Sequence, residues 1–295
     1  MTDSRETTLM PSIVIALSAA VWGLYWIPLR YTEGLGVPPV WTVALFNVPL
    51  VLVGALMFVA QYKANRPLMA RIVIAGTLAG AGLAFYGAGL MLTTVVRATL
   101  LFYLTPIWGT LIGLAILGER PGWARWTALT VALVGLALTL GLSPDDLSPN
   151  LGIGEVLGLI AGMVWAGAAA VIRSSGGLPT TGLAFVQFVA AFLITAGFAL
   201  WLGEGMLTVE WAVQAANWWM LIGAAIMLAT MFSIFMMLGR ISPGRSGLLM
   251  MSEVIVAVFS AAILLPEEAL GAWEWVGASL IIGAGFIEVL GSDQS

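Results

Sequence analysis

RATLLFYLTPIWGTLIGLAILGERPGWARWTALTVALVGLAL, residues 97–138, is two apolar runs joined by the short turn Gly118–Gly122. Each run approaches the roughly 20 residues that an α-helix needs to cross a bilayer. Moving the chain by 148 residues lays Arg97 on Arg245, Glu119 on Glu267 and Gly135 on Gly283 without a gap. A helix–turn–helix copied at one offset is a repeat. Nearer the start of each copy, Trp22-x7-Arg30 has a counterpart in Trp165-x7-Arg173, displaced by 143 residues.

Working outward from this stretch, apolar spans fall at about 11–29, 39–60, 70–91, 96–117, 123–142, 153–173, 180–202, 216–238, 246–265 and 272–290. The expectation is an all-α membrane protein of ten transmembrane helices. The domains are a first five-helix repeat at 1–142, an external linker at 143–152 and a second five-helix repeat at 153–295. Five is odd, so the second copy enters the membrane from the opposite face, an inverted-topology repeat of the kind found in secondary transporters. The first span carries Pro28 and Arg30 at its end and lacks a small-residue cleavage site, so it reads as an anchor helix. Composition agrees: 61% of residues are hydrophobic and 9% charged, against about a quarter charged in a soluble domain.

The basic residues set an orientation. With the N-terminus inside, Arg5, Lys63, Arg66, Arg71, Arg120, Arg125, Arg173, Arg240 and Arg245 lie on the cytoplasmic side, and Arg30 and Arg97 lie opposite. The positive-inside rule then expects both termini in the cytoplasm. Trp41, Trp123, Trp126, Trp201, Trp218, Trp219, Trp273 and Trp275 fall near predicted helix ends, where an interfacial belt belongs.

The chain contains no cysteine and no histidine, and Lys63 is its sole lysine. Thiolate chemistry, disulfides and nearly all zinc or copper ligation are thereby excluded, as is a phosphate-binding G-x-x-x-x-G-K-[ST] loop. No metal, cofactor, catalytic residue or nucleic-acid partner is expected. An intramembrane enzyme acting on lipid needs a nucleophile–base pair or metal ligands at membrane depth, and none is visible. A channel needs a polar file, which is also missing.

The residues AAVWGLYWIPLR (19–30) resemble the opening helix of the EamA-type transporters of the drug/metabolite transporter superfamily, and 97–138 resembles that family's most recognisable stretch. The resemblance covers about residues 10–290. It implies ten helices, inverted repeats and transport of a small organic solute across a prokaryotic inner membrane. The Trp- and Met-rich interior looks most like the aromatic amino-acid exporters. Two departures stand out: Asn47 replaces a frequent Arg in the second helix, and Val254 occupies the repeat counterpart of Pro106.

Among candidate site residues, Glu253 is the most informative, lying eight residues after Arg245 and so about 12 Å into its span. A carboxyl there either binds a substrate ammonium, takes up a proton during transport, or serves as a strut bonded to Ser252, Thr230 or Gln187. Intramembrane ionisable groups are costly and mark function by default. Trp22 and Trp165 lie near mid-membrane, too deep for interfacial anchoring, and either stack on an apolar substrate or pack in the core against Gly-rich neighbours, with Tyr25 flanking the first. Tyr86 and Tyr103 are buried phenols expected to line the same cavity. Pro106, a helix kink, lacks an N–H and so frees a carbonyl near residue 102. Met227 and Met251 offer deformable apolar walls. Asn47 and Gln187 are amides in equivalent second helices, either meeting a substrate carboxylate or bonding a neighbouring helix. Arg97 and Arg245 are read as setting topology and packing at the interface, with gating or anion contact as the alternative, and Glu119 and Glu267 as solvated loop caps. Gly76/Gly80, Gly109/Gly113 and Gly154/Gly158/Gly162 present small faces for close helix approach.

The expected activity is export of small neutral or aromatic amino acids by alternating access through a midplane cavity, with efflux of cationic drugs as the alternative. Phosphorylated solutes fit poorly, because no buried Lys or Arg would meet the phosphates. The partners are a small-molecule substrate and the lipid bilayer, and one copy of the chain is expected to suffice.

Overall fold

A computed structural model of the protein describes residues 3–112, 122–140, 151–238 and 249–292. Gly113, Glu119, Arg120, the linker segment 143–150, Arg240 and Arg245 lie outside the described residues. Within them the chain is helical, with no strand. Hydrocarbon offers backbone groups no water to bond, so a spanning segment must satisfy them internally, and a helix does so along its own length.

The first apolar stretch is a broken helix, α1 (Asp3–Trp22) and α2 (Trp26–Glu33). Then follow α3 (Pro39–Ala60), the short α4 (Tyr62–Asn65) and α5 (Met69–Leu92). The fourth stretch is also broken, into α6 (Val95–Phe102) and α7 (Thr105–Ile112), and α8 (Trp123–Thr139) is the fifth. The second half holds α9 (Ile153–Ser174), α10 (Thr180–Trp201), the short α11 (Val209–Ala215) and α12 (Trp218–Leu238). It ends with α13 (Ser252–Leu264) and α14 (Ala272–Ser292).

Five described segments are long and apolar enough to cross a bilayer: Leu9–Glu33, Pro39–Ala60, Tyr62–Leu92, Ile153–Ile172 and Thr180–Trp201. The pair α11 and α12, bent by 62° between them, makes a sixth if it counts as one span. The remaining apolar helices are shorter, Val95–Gly109, Trp126–Thr139, Ser252–Leu264 and Ala272–Ile287. A 13-residue helix such as α13 rises only about 20 Å, so alone it falls short of the hydrocarbon thickness. The cause is a turn at Met251, which separates α13 from a helical stretch at 249–250.

The helices pack by a rule. Between the halves, α5 packs on α9 and α10, and α6 packs on α9; α12 packs on α1 and α3, and α13 packs on α1. Counting apolar stretches from one to ten, advancing every stretch by five turns the first set of contacts into the second. The pairs α3 with α10, α6 with α13 and α8 with α14 map onto themselves. The α6–α13 crossing therefore sits where the two halves exchange.

Lipid supplies little hydrophobic drive between helices, so close approach of small residues carries the packing. A Cβ on Gly80 would meet the backbone carbonyl of Gln187 and the side chain of Ala190 on α10. A Cβ on Gly162 would lie 2.5 Å from the Phe102 carbonyl. Gly109 departs from the expectation: among the described residues nothing lies within 4 Å of where its Cβ would be.

Trp123, Trp201, Trp218 and Trp273 are exposed near helix ends. Trp41 is not part of that belt. It is 4% exposed, and its indole Nε1 donates to the Gly205 carbonyl at 3.1 Å.

Candidate functional site

Two broken helices meet at the centre. Pro106 has no N–H for the Phe102 carbonyl, and α6 stops at Phe102. The chain makes a turn at Tyr103–Leu104 and restarts as α7. The freed carbonyl finds its polar partner locally, in the Thr105 hydroxyl at 2.5 Å. The 148-residue shift lays Tyr103 on Met251, where the opposing span has its own turn. The first stretch breaks similarly at Gly23–Tyr25, ahead of Pro28, and a Cβ on Gly23 would press on the Glu253 carbonyl at 2.5 Å.

At this meeting point the Tyr103 phenol donates to Glu253 Oε2 at 2.6 Å. Glu253 is 8% exposed. Among the described residues the ion pairs belong to Arg30 and Arg97, and none reaches Glu253. The expected strut partners are engaged elsewhere: Ser252 donates to the carbonyls of Ala16 and Leu249, and Thr230 to those of Ile226 and Met227.

A cluster of rings extends from the carboxyl's phenol partner. Phe102 stacks on Tyr86 with centroids 4.6 Å apart, meets Tyr103 edge-on at 5.3 Å and faces Trp165 at 6.4 Å. Tyr86 shares a hydrogen bond of 3.1 Å with Thr99. Trp22 lies 6.4 Å from Tyr25, which packs edge-on against Phe46 at 5.0 Å. A Cβ on Gly87, next to Tyr86, would touch the Tyr25 hydroxyl at 3.1 Å. Trp22 Nε1, Tyr25 Oη and Asn47 Oδ1 are buried without a hydrogen-bond partner among the described residues. Unsatisfied polar groups at membrane depth are costly and call for a ligand or a second conformation.

The fold thus brings Trp22, Tyr25, Tyr86, Tyr103, Trp165 and Glu253 together. Asn47 adjoins the group through Phe46, and its Nδ2 bonds its own helix at the Val43 carbonyl (2.8 Å) rather than a neighbouring one. Gln187 is buried on α10, opposite Gly80. The Met251 thioether lies against Gly285 of α14, and Met227 is part of the apolar core. Sequence reading missed Phe102 and Thr99. Their signal was spacing, since both lie within one helical turn of Tyr103 on α6.

It also missed a layer of charge at the end of the bundle where α2 and α5 stop and α6, α9 and α14 begin. Arg30 donates to the Leu90 and Thr93 carbonyls at the α5 C-terminus, both at 3.0 Å, and pairs with Glu33 and Glu268 at 3.2 and 3.8 Å. Arg97 pairs with Glu155 at 3.6 Å and Glu274 at 3.8 Å. Thr93 donates to Glu155, and the Val96 amide donates to Glu268. Burial pushes the Glu268 carboxyl above its ordinary 4.5, while the amides of Val95 and Val96 and the Arg30 guanidinium pull it back. Arg97 therefore does more than set topology, whereas Glu267 is exposed as expected.

A second lock joins α3 to α10. At one end Glu204 accepts the amides of Val40 and Trp41 at 3.0 and 3.1 Å; at the other, Thr181 bonds Gln61 and Asn65 at 3.2 and 3.3 Å. Burial raises the Glu204 carboxyl from its ordinary value, and those two amides oppose the rise.

Comparison with known proteins returns one family model, the EamA-like transporter family, matched twice, at residues 9–141 and 152–289. An S-adenosylmethionine uptake transporter of Rickettsia bellii (strain RML369-C) is 28% identical over 114 residues, 37% of this chain and 38% of that protein. One of the same name from Rickettsia conorii (strain ATCC VR-613 / Malish 7) is 27% identical over 114 residues, again 37% and 38%. The match thus spans little more than a third of either relative. A solved structure described as a crystal structure of a protein superposes with a TM-score of 0.57 at 22% identity, covering 98% of both chains, which speaks to the fold.

Proposed function

This chain belongs to the EamA-like transporter family, and from that premise we propose that it is a secondary transporter exporting small neutral or aromatic amino acids by alternating access. Ten spans in two inverted halves, with both termini in the cytoplasm of a cell with an inner membrane, are the arrangement this reading uses. The α6–α13 crossing is its centre. The observation that carries the reading is Glu253, bonded to the Tyr103 phenol, whose ring packs on Phe102 and through it joins Tyr86 and Trp165 where two broken helices meet.

An amino acid offers such a site two handles. Its ammonium pairs with the Glu253 carboxylate, and its side chain lies against the rings, whose faces also attract the positive charge. The substrate's carboxylate turns to the unpartnered donors Trp22 Nε1 and Tyr25 Oη. When the ammonium leaves, Glu253 takes up a proton in its place, so one proton enters for each zwitterionic amino acid that departs. Ring-lined walls and a single carboxylate are binding groups, and we assign no catalytic step to them.

A second reading is favoured by the two relatives named for S-adenosylmethionine uptake. A sulfonium bearing a planar base presents the same pair of handles, a positive centre and a ring, and so does a cationic drug. Proteoliposome flux of radiolabelled phenylalanine or tryptophan, with and without a pH gradient, tests the proposal. Gradient-driven flux that loses its gradient response in Glu253→Gln supports it. Flux of S-adenosylmethionine without flux of amino acids replaces the first substrate class with the second.

A further inference from the structure

We propose that the charge layer at the Arg30 end is a gate, closed in this structure, that opens when Arg97 and Arg30 give up their partners across the two halves. The proposal rests on the alternating-access reading and adds to it the residues that hold one entrance shut.

The layer is built from both halves. Arg30, Thr93 and Arg97 come from the first half, and Glu155, Glu268 and Glu274 from the second. The pairs that cross between halves are long, 3.6 to 3.8 Å, while the pair within the first half, Arg30–Glu33, is 3.2 Å. The arginine side chains are 27% and 28% exposed and in these pairs sit at ion-pair rather than hydrogen-bond distance, so the contacts are looser than Arg30–Glu33. The Thr93–Glu155 and Val96–Glu268 hydrogen bonds cross the halves beside them and must part with them. Two features give the arginines somewhere to go. Arg30 Nε is buried and unpartnered. A cavity of about 180 Å³ adjoins Arg97, lined by Thr94, Thr139, Glu268, Leu270 and Glu274 among others.

On the helices that carry the layer, Leu90 of α5, Val95 and Ala98 of α6, and Leu157 and Ala161 of α9 are all buried. Six residues of helix separate Arg97 from Tyr103, about 9 Å along the axis. Opening the layer therefore exposes the site from that end. The α3–α10 pair behaves oppositely. It is tied at both ends by Glu204 and by the Thr181–Gln61–Asn65 bonds, so it stays closed while the gate moves. A bundle pinned along one helix pair and joined by breakable ion pairs elsewhere has a hinge and a gate.

The absence of cysteine from the sequence permits a direct test. A single cysteine is placed at Thr99, two residues below Arg97 and wholly buried, and a second chain carries one at Ala199 in the tied α3–α10 pair. Both are labelled in vesicles of each orientation with a membrane-impermeant cationic methanethiosulfonate. Adding Arg97→Gln is expected to raise the labelling rate at Thr99→Cys about tenfold from one side only, leaving Ala199→Cys protected. Adding Arg97→Lys instead, which keeps the charge, is expected to leave Thr99→Cys slow. An unchanged rate in Arg97→Gln overturns the gate. Equal rises at both cysteines overturn it too, because the pairs then hold the fold together and not an entrance. Neither readout requires a known solute, so failure of amino-acid flux leaves this test intact.

Discussion

Replacing Tyr103 by Phe and Glu253 by Leu, which has no acceptor, singly and together, measures the bond on which the central site is built. The Tyr103–Glu253 distance of 2.6 Å lies in the range of O–H···O⁻ bonds, 2.5–2.7 Å, which are stronger than neutral ones. A hydrogen bond to a charged group contributes about 1.5–3 kcal/mol, against about 0.5–1.5 for a neutral pair. Tyr103→Phe keeps the ring that packs on Phe102 and removes the donor alone. A double-mutant cycle on unfolding in detergent, followed by tryptophan fluorescence, is thus expected to return a coupling of about 1.5–3 kcal/mol at alkaline pH, where the carboxyl is ionised. Acidification that protonates the carboxyl should bring the coupling down toward about 1 kcal/mol, because the bond is then neutral. A coupling below about 0.5 kcal/mol at every pH would refute the reasoning, since the two broken helices would then meet without Glu253 depending on Tyr103.

Three further outcomes are expected. Gly80→Val should lower the thermal midpoint by the equivalent of about 1–3 kcal/mol, because the added carbons meet the Gln187 backbone, whereas Gly109→Ala should be neutral or stabilising, by up to about 1 kcal/mol, in the same melt. Trp41→Phe should cost about 1 kcal/mol through the lost bond to Gly205, while Trp123→Phe, at an exposed position, should change nothing measurable in that assay. The raised carboxyls of Glu204 and Glu268 give a pH dependence with a definite sign. A folded state that binds the proton more tightly than the unfolded chain loses stability as pH rises above the ordinary 4.5 through the raised value. Midpoints measured across that window should therefore fall with rising pH, and Glu204→Gln should flatten its share of the slope.

Helix positions were legible because lipid leaves a long, uninterrupted apolar signature, and the proline breaks were legible because a missing N–H has a fixed local consequence. What the sequence hid lies between helices. Nothing in the spacing of Arg97 and Glu155 says that α6 packs on α9, and only that packing brings the pair to 3.6 Å. The cue was present in coarse form: Glu33, Glu155, Glu204, Glu268 and Glu274 all fall at predicted ends on the side holding just two arginines. Trp41 was misread for a similar reason. A Trp near a helix end looks interfacial until the loop after α10 folds over it.

The site itself follows from symmetry being kept in the backbone and broken in the side chains. The 148-residue shift that duplicates the fold carries Tyr103 onto Met251 and Thr105 onto Glu253, so both halves break at corresponding points and the breaks face each other. A strictly symmetric pair would offer two carboxyls or none at the axis. Two like charges a few ångströms apart in hydrocarbon are not tolerated, and none leaves no handle for a cation. With Tyr103 donated by one half and Glu253 by the other, the crossing has a single charge and a partner that releases it at modest cost. The repeat explains where the two breaks meet, and the departure from the repeat explains why that meeting point suits the proposed solute with a single positive centre.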